Sequence, residues 1–336
     1  MSWFNTEGAN PERILFSRAR YQRHPERLAF GLSVNDKRLS DICQKIDKLL
    51  LQNGFRAESS ENAAALAEKQ LISPEIAQYG GARAVYFNEP CSLSVTVGGS
   101  ELISIQSVMS GRSIAEARGA AAKVEELLDG ELGFAYNERL GYLCARPEEC
   151  GSALELCACI YLPSLRLLGG YEQLCSTLMR RGAQLFPLLD SKDNAGDLYL
   201  LCLRPPHLAD EQQCVMNFDT LMGELDRLEE KRCKMLYPTD NAEVSERAHR
   251  AVGALKYARN MSQDEMLCLI SDIRLSLTLG ACEKDALPSL CDLNYMCAEG
   301  FDLCLIASSK QRCTCFADVH RLRAEFLSKY ISGRVS

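Results

Sequence analysis

The chain has 336 residues, with Lys+Arg 38 against Asp+Glu 45 and a formal charge of −7. Hydrophobic residues make up 47% and charged residues 25%, which excludes wholesale disorder, a collagen-like fibre and a small disulfide-stapled scaffold. The acidic balance offers no overall basic surface, and no apolar run reaches the ~18 residues of a membrane span, so neither nucleic acid nor membrane is expected as a partner. The opening Met-Ser-Trp-Phe-Asn-Thr-Glu lacks the basic and apolar regions of a secretion signal, and the cytoplasm is the expected location.

Residues 1–75 read as mostly helical after an irregular, Arg-bearing start. Ile42, Ile46, Leu49 and Leu50 give a helical stripe over 39–51, and Ala-rich 61–71 is a second helix. Residues 84–88, 92–97 and 101–106 are short and β-prone, and Gly98-Gly99 marks a hairpin. A helix is expected over 114–128, then strands at 134–136, 140–144, 154–162, 184–188 and 198–203, with one helix at 171–181. Hairpin-length connections favour an antiparallel or mixed sheet with helices on one face. From Asp210 the pattern is helical: an apolar stripe over 215–228, a helix over 244–259, a third opened by Ser262 with Glu265 and closed by Gly280, and a last over 317–330. This divides the chain at 1–78, 79–209 and 210–336.

The 17 cysteines are odd in number and form no Cys-x-x-Cys knuckle, so neither a disulfide framework nor a zinc site is expected. Cys157-Ala-Cys159 puts two thiols on one strand face and reads as core filling. Cys291, Cys297, Cys304, Cys313 and Cys315 read as reduced structural thiols in a reducing compartment. The four histidines (His24, His207, His249, His320) are scattered and define no catalytic set.

Five strings stand in order along the chain: Trp3 … Glu7-Gly8 … Ser17-Arg18-Ala19-Arg20; Leu71-Ile72-Ser73-Pro74-Glu75-Ile76-Ala77; Gly141-Tyr142-Leu143 with Pro147 and Gly151; Leu162-Pro163; and Ser271-Asp272-Ile273-Arg274-Leu275 with Leu279-Gly280. Together they resemble the bacterial protein-arginine kinases, a branch of the ATP:guanido phosphotransferase (phosphagen kinase) family. The resemblance implies an α+β fold: a small helical N-terminal part, a central antiparallel sheet flanked by helices, and a helical C-terminal part. It also implies in-line transfer of the ATP γ-phosphoryl to a guanidinium, with magnesium on the nucleotide, arginines around the phosphates and carboxylates that orient the acceptor.

The chain departs from the family pattern at the positions that carry this chemistry. In the alignment, the catalytic Glu falls on Ser100, a second catalytic Glu on Asp190, and the reactive-site Cys on Arg146. Phosphate-binding arginines fall on Ser104, Glu155 and Leu185, while Arg18 and Arg20 are matched as nucleotide-binding candidates. Arg18, Arg20 and Arg23 read equally as an anion site or as a basic entrance segment. In the C-terminal part, Ala317-Asp318-Val319-His320-Arg321-Leu322 keeps two positions of the family's phosphoarginine-binding pattern. Asp318 and Arg321 at i,i+3 are that site or an ordinary intrahelical ion pair.

The reading is therefore a pseudokinase-like paralogue that binds or regulates in protein quality control. Its implied partners are an active protein-arginine kinase, a Clp-type unfoldase or a second copy as a homodimer, with phosphoarginine as ligand. One alternative is a working guanidino kinase, using ATP and magnesium, rebuilt around Asp190, Glu101 and Arg146. Another is a metal- or redox-responsive protein using the C-terminal cysteines.

Overall fold

The structure is a computed structural model whose described residues are 2–6, 8–31, 37–58, 62–73, 82–99, 101–189, 195–206, 209–237, 241–283, 286–309 and 315–334. Ser100, Asp190 and Cys313 lie outside them. Eight strands form one sheet in the spatial order β2-β3-β4-β5-β1-β8-β10-β9, every neighbouring pair antiparallel. They are β1 (Ile14–Arg23), β2 (Phe55–Glu58), β3 (Ala82–Asn88), β4 (Leu93–Gly98), β5 (Ile103–Ser110), β8 (Leu154–Tyr161), β9 (Ala183–Pro187) and β10 (Leu198–Leu203). β6 (Tyr136–Asn137) and β7 (Gly141–Tyr142) pair as a separate two-stranded ribbon.

The stretch read as an irregular, Arg-bearing start is instead β1, a central strand paired with β5 and β8. Its polar string Ser17-Arg18-Ala19-Arg20 hides the strand pattern because partners distant in sequence neutralise the arginines. Just before it, Gly8 passes so close to Ser110 that an added Cβ would lie 1.9 Å from the Ser110 carbonyl oxygen. Only glycine permits that approach.

Strand alternation gives the sheet two unlike faces. One carries Ala19, Tyr21, Ile105, Leu156, Ala158 and Leu201 and is covered by helices α1 (Arg38–Gln52), α3 (Ile114–Leu132) and α6 (Glu211–Leu236), which insert Ile46, Leu50, Val124, Leu128, Phe218 and Leu221. Each such large apolar side chain contributes roughly 1.5–3 kcal/mol on burial. The opposite face is apolar at one end, where Phe16, Val108, Cys159 and Tyr161 meet Trp3, Phe4 and α2 (Ala63–Glu68). Its middle is polar. There Arg18, Arg20, Ser104, Gln106, Glu155, Cys157 and Cys202 form the floor of a cleft.

Two shorter helices, α4 (Pro163–Leu168) and α5 (Tyr171–Met179), follow β8. The C-terminal helices α7 (Ala242–Tyr257), α8 (Gln263–Leu279), α9 (Leu290–Glu299), α10 (Asp302–Ser309) and α11 (Phe316–Ser332) enclose a core of their own, built on Ala251, Leu255, Met266, Ile270, Leu293 and Leu327. The Ser271–Arg274 string ties this bundle to the rest. Tyr161 donates its hydroxyl to the Ser271 carbonyl at 2.8 Å, and Ser271 donates to Asp197 at 2.6 Å. Arg274, sealed in the interior, donates to Asn294 at 2.7 Å. Among the described residues no helix is long and apolar enough to cross a membrane.

Candidate functional site

Register places Arg20 opposite Glu155 and Arg18 opposite Cys157 between β1 and β8, then Cys157 opposite Cys202 between β8 and β10. The Glu155 carboxylate is the hub. Its Oε1 lies 2.5 Å from Arg20 Nη2 and 3.6 Å from Arg18 Nη2, and its Oε2 accepts from Arg204 Nη2 at 3.0 Å and Nε at 3.2 Å. Arg204 continues to Glu149 at 2.8 Å, and Glu149 also takes Arg146 at 2.8 Å. One ion-pair chain thus runs from Arg146 at the rim to Arg20 on the floor.

Burial pushes the Glu155 carboxyl up, but the Arg20, Arg18 and Arg204 guanidiniums outweigh it and hold the group well below the usual carboxylate range. It is ionised at any ordinary pH. Arg18 spends Nη1 on Gln70 at 3.0 Å. Arg18 Nε and Arg20 Nε and Nη1 are buried without a hydrogen-bond partner among the described residues.

Ser104 faces the same cleft, since it pairs with Gln22 of β1 two positions along from Arg20. Leu185 does not. It pairs with Leu201 and packs into the helix-covered core, 4% exposed, so its position cannot carry a phosphate contact on the cleft floor. The aligned position is out of phase with the pleat by one residue, and Gln184, its neighbour on β9, is the side chain that reaches the cleft.

Glu101 and Arg146 come to the same loop. Glu101 is buried and accepts the Ala145 amide at 2.8 Å, while burial pushes its carboxyl above the usual range. Asp318 and Arg321 stand on α11, in the C-terminal bundle. Arg321 pairs with Glu325 at 2.8 Å, and Asp318 accepts from the Cys315 thiol at 3.7 Å.

Sequence reading missed Arg204, Glu149 and Cys202 as members of the cluster. No local pattern marks them, because each is joined to its partner through the sheet or its rim loops. It also grouped Cys157 with Cys159. Cys159 does fill core, but Cys157 lies 2.6 Å from Cys202 Sγ and 3.3 Å from Glu155. Among the described residues, Glu155, Cys157 and Cys202 are the group close enough to share an ion, whereas the C-terminal cysteines do not gather.

The family profile described as "ATP:guanido phosphotransferase, C-terminal catalytic domain" matches residues 37–190. The chain is 28% identical over 295 residues to a protein-arginine kinase of Symbiobacterium thermophilum, an alignment covering 84% of each chain. It is 25% identical over 315 residues to a protein-arginine kinase of Bacillus subtilis, covering 89% of this chain and 86% of the relative. A crystal structure of lombricine kinase shares the fold with a TM-score of 0.54 and 13% identity over 70% of each chain.

Proposed function

Because the chain belongs to the ATP:guanido phosphotransferase family, we propose that it is a divergent member that binds or regulates rather than transferring phosphate. One observation carries the reading: Glu155 faces Arg20, Arg18 and Arg204 together and uses both carboxylate oxygens on them. Phosphoryl transfer depends on neutralising the nucleotide's phosphates, and charge-assisted contacts contribute roughly 1.5–3 kcal/mol each. A triphosphate entering here would have to displace a paired carboxylate and then lie against its charge. The floor does not fit ATP. Ser104, and Gln184 on the cleft side of β9, add no cation to the rest of the floor.

A second reading, a working guanidino kinase using ATP and magnesium through Asp190, Glu101 and Arg146, is favoured by the unpartnered nitrogens of Arg18 and Arg20. Calorimetric titration with magnesium ATP, together with an assay for phosphoarginine on free and protein arginine, separates the two. Weak or absent binding and no transfer are expected, with tighter binding in Glu155→Gln. Micromolar binding by the wild type with robust transfer would establish the enzyme instead.

The partners follow from the family alone: an active arginine kinase, a Clp-type unfoldase, or a second copy. Phosphoarginine is the ligand proposed at Asp318 and Arg321. Titration with phosphoarginine, with arginine and phosphate as separate controls, tests that site. A response lost in Arg321→Ala supports it, and no wild-type response leaves an ordinary helix surface.

A further inference from the structure

We infer that Cys157 and Cys202 are a redox modification site on the cleft floor, in which Cys202 attacks hydrogen peroxide and Cys157 closes a cross-strand disulfide with it. Cys157 and Cys202 are direct partners on β8 and β10. Opposed residues of antiparallel strands have Cα atoms about 4.5–5.5 Å apart, inside the ~4.4–6.8 Å that a disulfide spans.

The sulfurs already approach to 2.6 Å. Two thiolates on one tetrahedral zinc, each about 2.3 Å from the metal, stand roughly 3.8 Å apart. The pair is thus closed for sulfur–sulfur bonding rather than open for an ion, although Glu155 is near enough to be a third ligand.

The two thiols have different surroundings. Cys157 is fully buried, whereas Cys202 is half-buried and lines an open cleft of about 590 Å³ with Arg20, Gln184 and Phe186. The Cys157 thiol donates to Cys202, and Arg18 and Arg20 stand beside it. The donated hydrogen bond outweighs burial, and together with the arginines holds the Cys202 thiol below its ordinary range, while burial pushes Cys157 up. A reachable thiol that ionises more readily and a sequestered one beside it are the two halves of such a pair.

In the first step the Cys202 thiolate attacks a peroxide oxygen. An S–O bond forms, the O–O bond breaks, sulfur loses two electrons and hydroxide leaves. In the second, the Cys157 sulfur attacks Cys202, the S–S bond forms, the S–O bond breaks, and the Cys157 proton leaves with the hydroxyl as water. An added dithiol supplies the two electrons that reverse the change. Oxidation leaves a disulfide with no thiol proton opposite Arg18, so it changes what the arginine cluster faces whether or not a nucleotide binds there.

The test is a peptide map of the full-length native chain, reduced, freed of reductant, exposed to hydrogen peroxide and alkylated before non-reducing digestion. The expected product is a Cys157–Cys202 linked peptide that forms before any other linkage, with near-complete loss of alkylation at both residues and recovery on adding dithiothreitol. Cys159→Ala should leave the linkage in place. Cys157→Ser, which keeps a donor beside Cys202 but cannot close a disulfide, should leave Cys202 as a sulfenic acid that dimedone captures. A wild-type map with both thiols still alkylated, or with Cys202 joined to Cys150 or Cys159, overturns the inference. So does a folded Cys157→Ser protein without dimedone on Cys202.

Discussion

Arg20 and Glu155 face each other across β1 and β8 with Nη2 and Oε1 2.5 Å apart, both side chains about nine-tenths buried. A pair this sequestered is costly to break from one side, because removing one partner leaves the other charge buried and uncompensated. Here three guanidiniums converge on one carboxylate.

Glu155→Gln is therefore expected to lower unfolding stability by about 3 kcal/mol, the lower part of the range for breaking a buried pair. The variant should also gain more than the wild type from inorganic phosphate, which can stand in for the lost charge. Urea denaturation with and without phosphate measures both effects. Equal stability of the two proteins would show that the arginines find other partners.

The pH dependence follows from the direction of the Glu155 shift. Its folded carboxyl is held below the unfolded value of about 4.3 by the arginines around it. Its stabilisation is fully present above that unfolded value and is lost as pH falls toward the folded one. The stability gap between wild type and Glu155→Gln should be constant from neutrality to about pH 5 and shrink in more acidic solution. Glu101 has the opposite sign, since burial raises it. Glu101→Gln should stabilise the chain near neutrality and lose that advantage as pH falls through the carboxylate range. Denaturation midpoints taken across pH 3–8 for the three proteins decide both signs.

What could be read in the sequence divides by distance along the chain. Ser262 caps α8 by accepting the Glu265 amide at 3.1 Å, and Gly280 closes that helix at φ +64. Both were legible because a cap and its helix are neighbours. Likewise, the Gly98-Gly99 turn and the strands after residue 79 carry their own alternation. β1 was not legible: Arg20 and Arg18 pair with Glu155, 135 and 137 positions away, so its pattern looks like a solvated basic segment. Leu185 shows a related failure. An alignment by residue strings tolerates a shift of one position, but a pleated strand does not, and that shift moved the expected arginine to the wrong face.

The caps give a local prediction. Ser262→Ala removes the hydrogen bond to the Glu265 amide and should cost about 1 kcal/mol. Gly280→Ala meets no neighbour within 4 Å, so its cost comes from backbone conformation, roughly 1–2 kcal/mol for a left-handed residue that gains a Cβ. Both should show in the urea midpoint while the peroxide reactivity of Cys202 stays unchanged. A change in that reactivity would mean that α8 and the cleft floor are coupled.

Asp197 separates a structural ion pair from a surface one. It is fully buried and takes Arg166 through two bonds, at 2.7 and 2.9 Å, while accepting Ser271 at 2.6 Å. Helix α4 and helix α8 therefore meet at one carboxylate, held just before the start of β10. Asp219 makes an equally short bidentate pair with Arg112, at 2.7 Å to each oxygen, but its side chain is 42% exposed. Geometry alone would rank the two pairs together; burial does not. Asp219→Ala should cost at most about 1 kcal/mol, because water replaces the partner. Asp197→Ala leaves Ser271 without its acceptor and Arg166 without its pair, and should cost about 3 kcal/mol. Urea denaturation of both variants measures the difference, and amide hydrogen exchange should show α8 opening sooner in Asp197→Ala. Equal costs, or exchange in α8 unaffected, would mean that the C-terminal bundle is held to the sheet by its apolar contacts rather than by this carboxylate.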